Sequence, residues 1–142
     1  MFTRASQFSV AAALAVAFSA PAFAAETYDV SAAEAKATVG AKATASVVLA
    51  GKNGWHLNEE FPISLVLKPG AGVSIEKKLL GRKDLAESTQ EKARFDVAFT
   101  ASEPGKKTIN AEAVFVMCQS TTCKPVREKV AFAVDVAPAK KK

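Results

Sequence analysis

Apolar and polar residues alternate along most of this chain. Over residues 61–68, Ile63, Leu65 and Leu67 fall on one side, and Ser64, Val66 and Lys68 on the other. Over 92–100, Ala93, Phe95, Val97 and Phe99 oppose Arg94, Asp96 and Ala98. Over 107–118, Ile109, Ala111, Ala113, Phe115 and Met117 alternate with Asn110, Glu112, Val114 and Val116. Over 127–136, Val130, Phe132, Val134 and Val136 alternate with Lys129, Ala131, Ala133 and Asp135. Successive side chains of a strand point to opposite faces of its sheet, so a period of two predicts half-buried strands. Residues 44–50 form a further short strand, and 27–31 one more.

Turn chemistry separates these runs: Gly51-Lys52-Asn53-Gly54, Pro69-Gly70-Ala71-Gly72 and Glu103-Pro104-Gly105. Short strands with regular turn signals predict an all-β, antiparallel sandwich. Two stretches fit less well. Residues 77–92 are rich in Lys, Glu, Leu and Ala, yet Leu79, Leu80, Leu85 and Ala86 make a poor helical stripe. They read as a long loop or cap with at most one helical turn. Residues 32–42 are Ala-rich, broken by Gly40, and read as an edge strand or a connection.

The first 24 residues are of another kind. A short region carrying Arg4 precedes an apolar run at 8–19, then Pro21 and the small-x-small triplet Ala22-Phe23-Ala24. This is the layout of a secretory signal peptide, with cleavage expected after Ala24. The run is too short to span a bilayer, which takes about 20 residues. No twin arginine is present, so the general secretion route is expected, taking the chain out of the cytoplasm. Residues 25–137 would then be a single sandwich domain, and 138–142 a basic tail. Of the charged residues only Arg4 is lost, so the net charge of +5 becomes +4. No later apolar run is long enough for stable membrane insertion. The export signal, together with the lack of a basic-aromatic patch, argues against nucleic acid. A chain of this size buries roughly two-thirds of its unfolded surface and needs no obligatory staple.

Two cysteines and one histidine exclude much chemistry. A zinc site of four Cys or His ligands needs more than this chain has. A blue-copper site needs two histidines. A Ser-His-Asp triad would have to use His56. His56 reads as a turn-flanking histidine hydrogen-bonded to backbone. The alternative, a metal held by His56, Cys118, Cys123 and Glu59 or Glu60, would require a reducing environment. Trp55 reads as sandwich core rather than a ligand platform.

The segment that could carry chemistry runs from Val114 to Pro125. Two alternating strands flank a four-residue gap with a cysteine at each end. If they form a hairpin, Cys118 and Cys123 lie nearly opposite one another, within reach of a disulfide. Outside the cytoplasm such a pair is normally oxidised. A six-residue loop gains only roughly 2 kcal/mol from closure, a weak reason to keep a staple. Lys124 and Arg127 lie beside Cys123 in sequence, and cations stabilise a thiolate. Spacing alone leaves both readings open, an inert staple and a redox-active pair.

The run Gly54-Trp55-His56-Leu57-Asn58-Glu59-Glu60-Phe61-Pro62-Ile63-Ser64-Leu65 resembles an early signature of the amino-terminal domain of the DsbD family of thiol:disulfide interchange proteins. The run from Ala113 to Pro125 is similar to that family's cysteine hairpin, a strand ending in Cys, a short loop, then Cys before proline. The order and separation of the two signatures match too, over roughly residues 43–136.

The resemblance implies an immunoglobulin-like sandwich working in the periplasm, where it passes electrons between thioredoxin-like or other disulfide oxidoreductases. It implies no cofactor beyond the cysteine pair, with Cys123 forming the mixed disulfide and Cys118 resolving it. It implies a site periphery of Trp55, His56, Lys124 and Pro125. Residues 77–92 would be the covering cap, with Leu79 and Leu80 standing in for the family's aromatics. The electron donor would be a separate protein. The gap of four is shorter than in the best-known members. The alternative function is a secreted binding or structural sandwich with an inert hairpin disulfide.

Overall fold

The computed structural model describes residues 27–140. The expected signal peptide lies outside the described residues, as do the last two residues of the tail. Eleven strands follow in order: β1 Tyr28–Ala32, β2 Ala35–Thr38, β3 Lys42–Gly51, β4 His56–Leu57, β5 Ser64–Pro69, β6 Val73–Ser74, β7 Leu79–Gly81, β8 Leu85–Ser88, β9 Lys92–Ala101, β10 Gly105–Gln119 and β11 Thr122–Ala137. A single turn of 3-10 helix, Arg82–Asp84, joins β7 to β8.

The strands form two facing sheets. One runs β1-β3-β9-β6, with β8 also on β9, and the other runs β2-β11-β10-β5-β7, with β4 also on β10. Each sheet turns its apolar row inward. Val47, Leu49, Phe95 and Val97 from the first meet Leu65, Ile109, Phe115 and Val134 from the second, all nearly or wholly buried. The period of two in the sequence therefore names core residues of β9, β10 and the second half of β11.

Three expectations are corrected. The strand predicted over 61–68 starts only at Ser64. Phe61 lies before it and is 49% exposed, because the chain bends at an Asn58-centred turn. The 77–92 stretch is not one loop. Its single 3-10 turn is flanked by β7 and β8, short strands that take their hydrogen bonds from β5 and β9. The sandwich is not wholly antiparallel either, since β2 runs parallel to β11. This edge strand, within the Ala-rich 32–42 stretch, carries the chain from the first sheet to the second.

The β10–β11 hairpin dominates the second sheet. Its ladder is unbroken from Gly105↔Val136 to Gln119↔Thr122. Ser120 and Thr121 form the turn, and Ser120 takes φ 53°, a left-handed backbone that usually favours Gly or Asn.

Candidate functional site

The hairpin register sets Cys118 directly opposite Cys123. A two-residue turn makes Gln119↔Thr122 the hydrogen-bonded closing pair, so the next pair is the non-hydrogen-bonded kind, where side chains approach most closely. The Cα atoms are 4.1 Å apart and the two sulfurs are bonded. The expected disulfide is present.

Its two ends differ. Cys118 is 3% exposed, whereas Cys123 is exposed on β11. The asymmetry follows from the neighbours. Cys118 lies between β11 and β4, paired across β4 with His56. Cys123 is exposed on an outer strand with no strand paired to its far side, since β2 joins β11 only at Val134–Ala137 among the described residues.

The group that touches the buried sulfur is Asn58, which in the sequence is one unremarked residue of the run from Gly54 to Leu65. Its Nδ2 donates to Cys118 Sγ at 3.2 Å. Its Oδ1 accepts from the backbone N–H groups of Glu60 at 2.8 Å and Phe61 at 3.0 Å, closing an Asx turn. Its backbone N–H donates to the Val116 carbonyl at 3.0 Å. Arg82 Nη2 donates to the carbonyls of Asn58 at 3.1 Å and Phe61 at 2.6 Å. The amide is thus aimed at the sulfur by a fully bonded loop. A shallow cleft beside it is lined by His56, Leu57, Asn58, Glu59, Glu60 and Gln90.

The hairpin tip is tied to the turn before β4. Gln119 Nε2 donates to the Asn53 carbonyl at 3.0 Å, and Lys124 Nζ lies 5.0 Å from the centre of the Trp55 ring. Gly51 makes this packing fit, because a Cβ there would fall 2.0 Å from the Trp55 carbonyl oxygen. Trp55 is half-buried against the core, as expected.

Several expected periphery residues are therefore adjacent: His56 in the ladder, Trp55 beneath Lys124, and Pro125 next along β11 opposite Val116. Lys124 is not aimed at Cys123. Strand alternation turns it to the opposite face, toward Trp55. Arg127 is engaged with Glu112. Leu79 and Leu80 do not cover the pair. They pair with Val66 and Leu65, which stand beside Glu112 and Ala113, five to six residues from Cys118 along β10. That is about 17–20 Å at 3.4 Å per residue. The segment beside the disulfide is the Asn58–Phe61 loop instead, and it carries an aromatic. Among the described residues, no group of three or more His, Cys, Asp or Glu side chains is gathered as metal ligands. None of their helices is long and apolar enough to cross a membrane.

No protein-family model and no curated protein matches the sequence. Among solved structures, the chain is similar to a cohesin module from a family 33 glycoside hydrolase of Clostridium perfringens, with a TM-score of 0.53 and 10% identity over 79% of this chain and 96% of that one. It is also similar to the major subunit AggA of the aggregative adherence fimbriae of Escherichia coli, with a TM-score of 0.39 and 11% identity over 78% and 95% of the two chains. The likeness to the cohesin module is one of fold. Taken with the two-sheet topology, it makes the protein an immunoglobulin-like β-sandwich, as expected from the sequence.

Proposed function

We propose that this sandwich is a thiol–disulfide exchange protein of the periplasm, with Cys118–Cys123 as its redox pair. The observation that carries the reading is the asymmetry of the pair: one exposed sulfur, and one buried sulfur facing a fixed N–H donor. A partner thiolate reaches Cys123 and not Cys118. Attack on Cys123 breaks the bond to Cys118, which leaves as a thiolate. Asn58 Nδ2 donates to the charge that forms there, and stabilising the leaving thiolate speeds its departure.

A second partner thiol then attacks the partner's own sulfur in the mixed disulfide and releases Cys123. The partner's dithiol becomes a disulfide, while Cys118 and Cys123 become thiols. In the reverse direction Cys123 attacks a disulfide and Cys118 resolves the mixed species. The partners that fit are thioredoxin-like dithiol proteins.

The test is the reduction potential of the pair, from thiol trapping across a series of redox buffers. A value between about −120 and −270 mV, with the reduced protein still folded, supports exchange. A value well below about −300 mV makes the pair a staple and the sandwich a binding or structural module. Cys118→Ser should form a mixed disulfide through Cys123 with an oxidised, disulfide-bearing thioredoxin-like partner, whose other cysteine is released as a thiol, and Cys123→Ser should not.

A further inference from the structure

We infer that the free edge of β11, from Arg127 to Ala133, docks an extended acidic segment of a partner protein as an added strand. Among the described residues, only β2 pairs with this edge, at its far end, while β1 packs against the same strand through Tyr28 and Glu128 without joining its ladder. The unpaired stretch is long, and its outward groups can be assigned. Gln119↔Thr122 bonds inward, so the backbone groups of every second residue from Cys123 onward point away from β10. The far end confirms the phase: Ala137, of the same parity, accepts from Val39 N–H on the β2 side at 3.0 Å. Arg127, Lys129, Ala131 and Ala133 therefore turn their N–H and C=O groups outward. Pro125 has no N–H to offer, which ends the usable edge before Cys123 and leaves that sulfur clear.

The side chains select the occupant. An added strand would lay one row of side chains beside exposed Arg127 and Lys129, and the other beside half-buried Val126 and Val130. On the outer face the carboxylate beside Arg127 and Lys129 is Glu112, ion-paired with Arg127 and opposite Lys129 in the ladder, so two cations share one carboxylate, while Lys124 and Glu128 belong to the inner face. Glu128 is itself engaged by the Tyr28 hydroxyl at 2.5 Å. A segment alternating carboxylates with β-branched apolar residues matches both rows. A second copy matches only the apolar row, because two such edges paired antiparallel about Val130 set Arg127 opposite Ala133 and Lys129 opposite Ala131, so neither cation meets a carboxylate of the other copy. Long edge strands invite pairing, and cations with a proline restrict who pairs.

The probe is a labelled, thiol-free peptide of eight residues alternating Glu and Val, titrated into the purified oxidised protein. Lacking sulfur, it reads docking independently of any exchange chemistry. Saturable binding is expected, with slowed amide exchange at Arg127, Lys129, Ala131 and Ala133. The Arg127→Gln/Lys129→Gln variant, with unchanged melting, should bind about tenfold more weakly. A peptide N-methylated at the residues facing the edge keeps its charge and should not bind. Equal binding of the methylated peptide would overturn the inference, as would no binding by about 1 mM. So would a protein dimer formed through this edge.

Discussion

The two halves of the β10–β11 hairpin share a ladder but not an environment. At the root, strands lie on both sides: β5 beside Ile109–Ala111 of β10, and β2 beside Val134–Val136 of β11. Both strands bury side chains there, with Ile109 and Val134 wholly buried and Phe132 and Val136 3% exposed. At the tip, β10 still buries Phe115, Met117 and Cys118, but no residue of β11 from Thr122 to Ala131 is buried. One strand of the tip belongs to the core and the other to solvent. That division makes the two cysteines unlike, although their spacing is symmetrical. It also places the disulfide beside a strand end that buries none of its own side chains.

The division fails if the two halves prove equally costly to truncate. Phe132→Ala at the root should lower stability by about 3–5 kcal/mol in urea unfolding. Val126→Ala at the tip should cost about 1 kcal/mol. Comparable losses would mean that the tip of β11 is packed as firmly as the root.

Reduction is the next largest effect. Opening the Cys118–Cys123 bond should cost about 2 kcal/mol or less, since the loop it closes is short. The reduced protein should keep its far-ultraviolet dichroism and a cooperative melt. Unfolding on addition of dithiothreitol would show that the tip holds the root together.

Asn58 sharpens the comparison within the tip. Asn58→Ala should cost about 1 kcal/mol through the lost Asx turn, and should slow attack on Cys123 by a small dithiol. Asn58→Asp keeps an acceptor for the Glu60 and Phe61 N–H groups but sets a carboxylate against the Cys118 sulfur. It should slow exchange while costing less stability than Asn58→Ala. If neither change alters the rate, Asn58 only positions the loop.

The smallest effect concerns Tyr28, which packs edge-on against Phe115 at 5.3 Å and bonds Glu128, linking the first sheet to the hairpin. Tyr28→Phe should cost at most about 1 kcal/mol near neutral pH. The hydrogen bond to the Glu128 carboxylate, with burial and the nearby negative charge, pushes the Tyr28 hydroxyl up from about 10 to about 12. A raised value favours the neutral phenol in the fold. Its contribution is therefore fully present below about pH 10 and is lost as pH rises toward about 12. Unfolding curves across that range should show the loss in the parent protein and its absence in Tyr28→Phe.

What the sequence determined by itself is the part governed by period. A side chain's face in a strand depends only on its parity, so Ile109, Phe115, Phe95 and Leu65 were assigned to the core without any knowledge of their neighbours. Hairpin geometry is equally local, so two cysteines flanking a four-residue gap already implied an opposed pair. The tertiary structure decided the rest, because those contacts join positions far apart in the chain. Asn58 meets Cys118 across a separation of 60 residues. Nothing near Asn58 in sequence distinguishes a donor to sulfur from an ordinary turn residue. Leu79 and Leu80 belong to a strand too short to announce itself, formed because β5 offers it an edge. Lys124 follows Cys123 in sequence yet faces away from it, for the same reason of parity that made the core legible. Which sulfur is buried is likewise a matter of which outer edge the fold leaves uncovered. That depends on β2 reaching only the last turn of β11's ladder, a pairing between residues about a hundred positions apart.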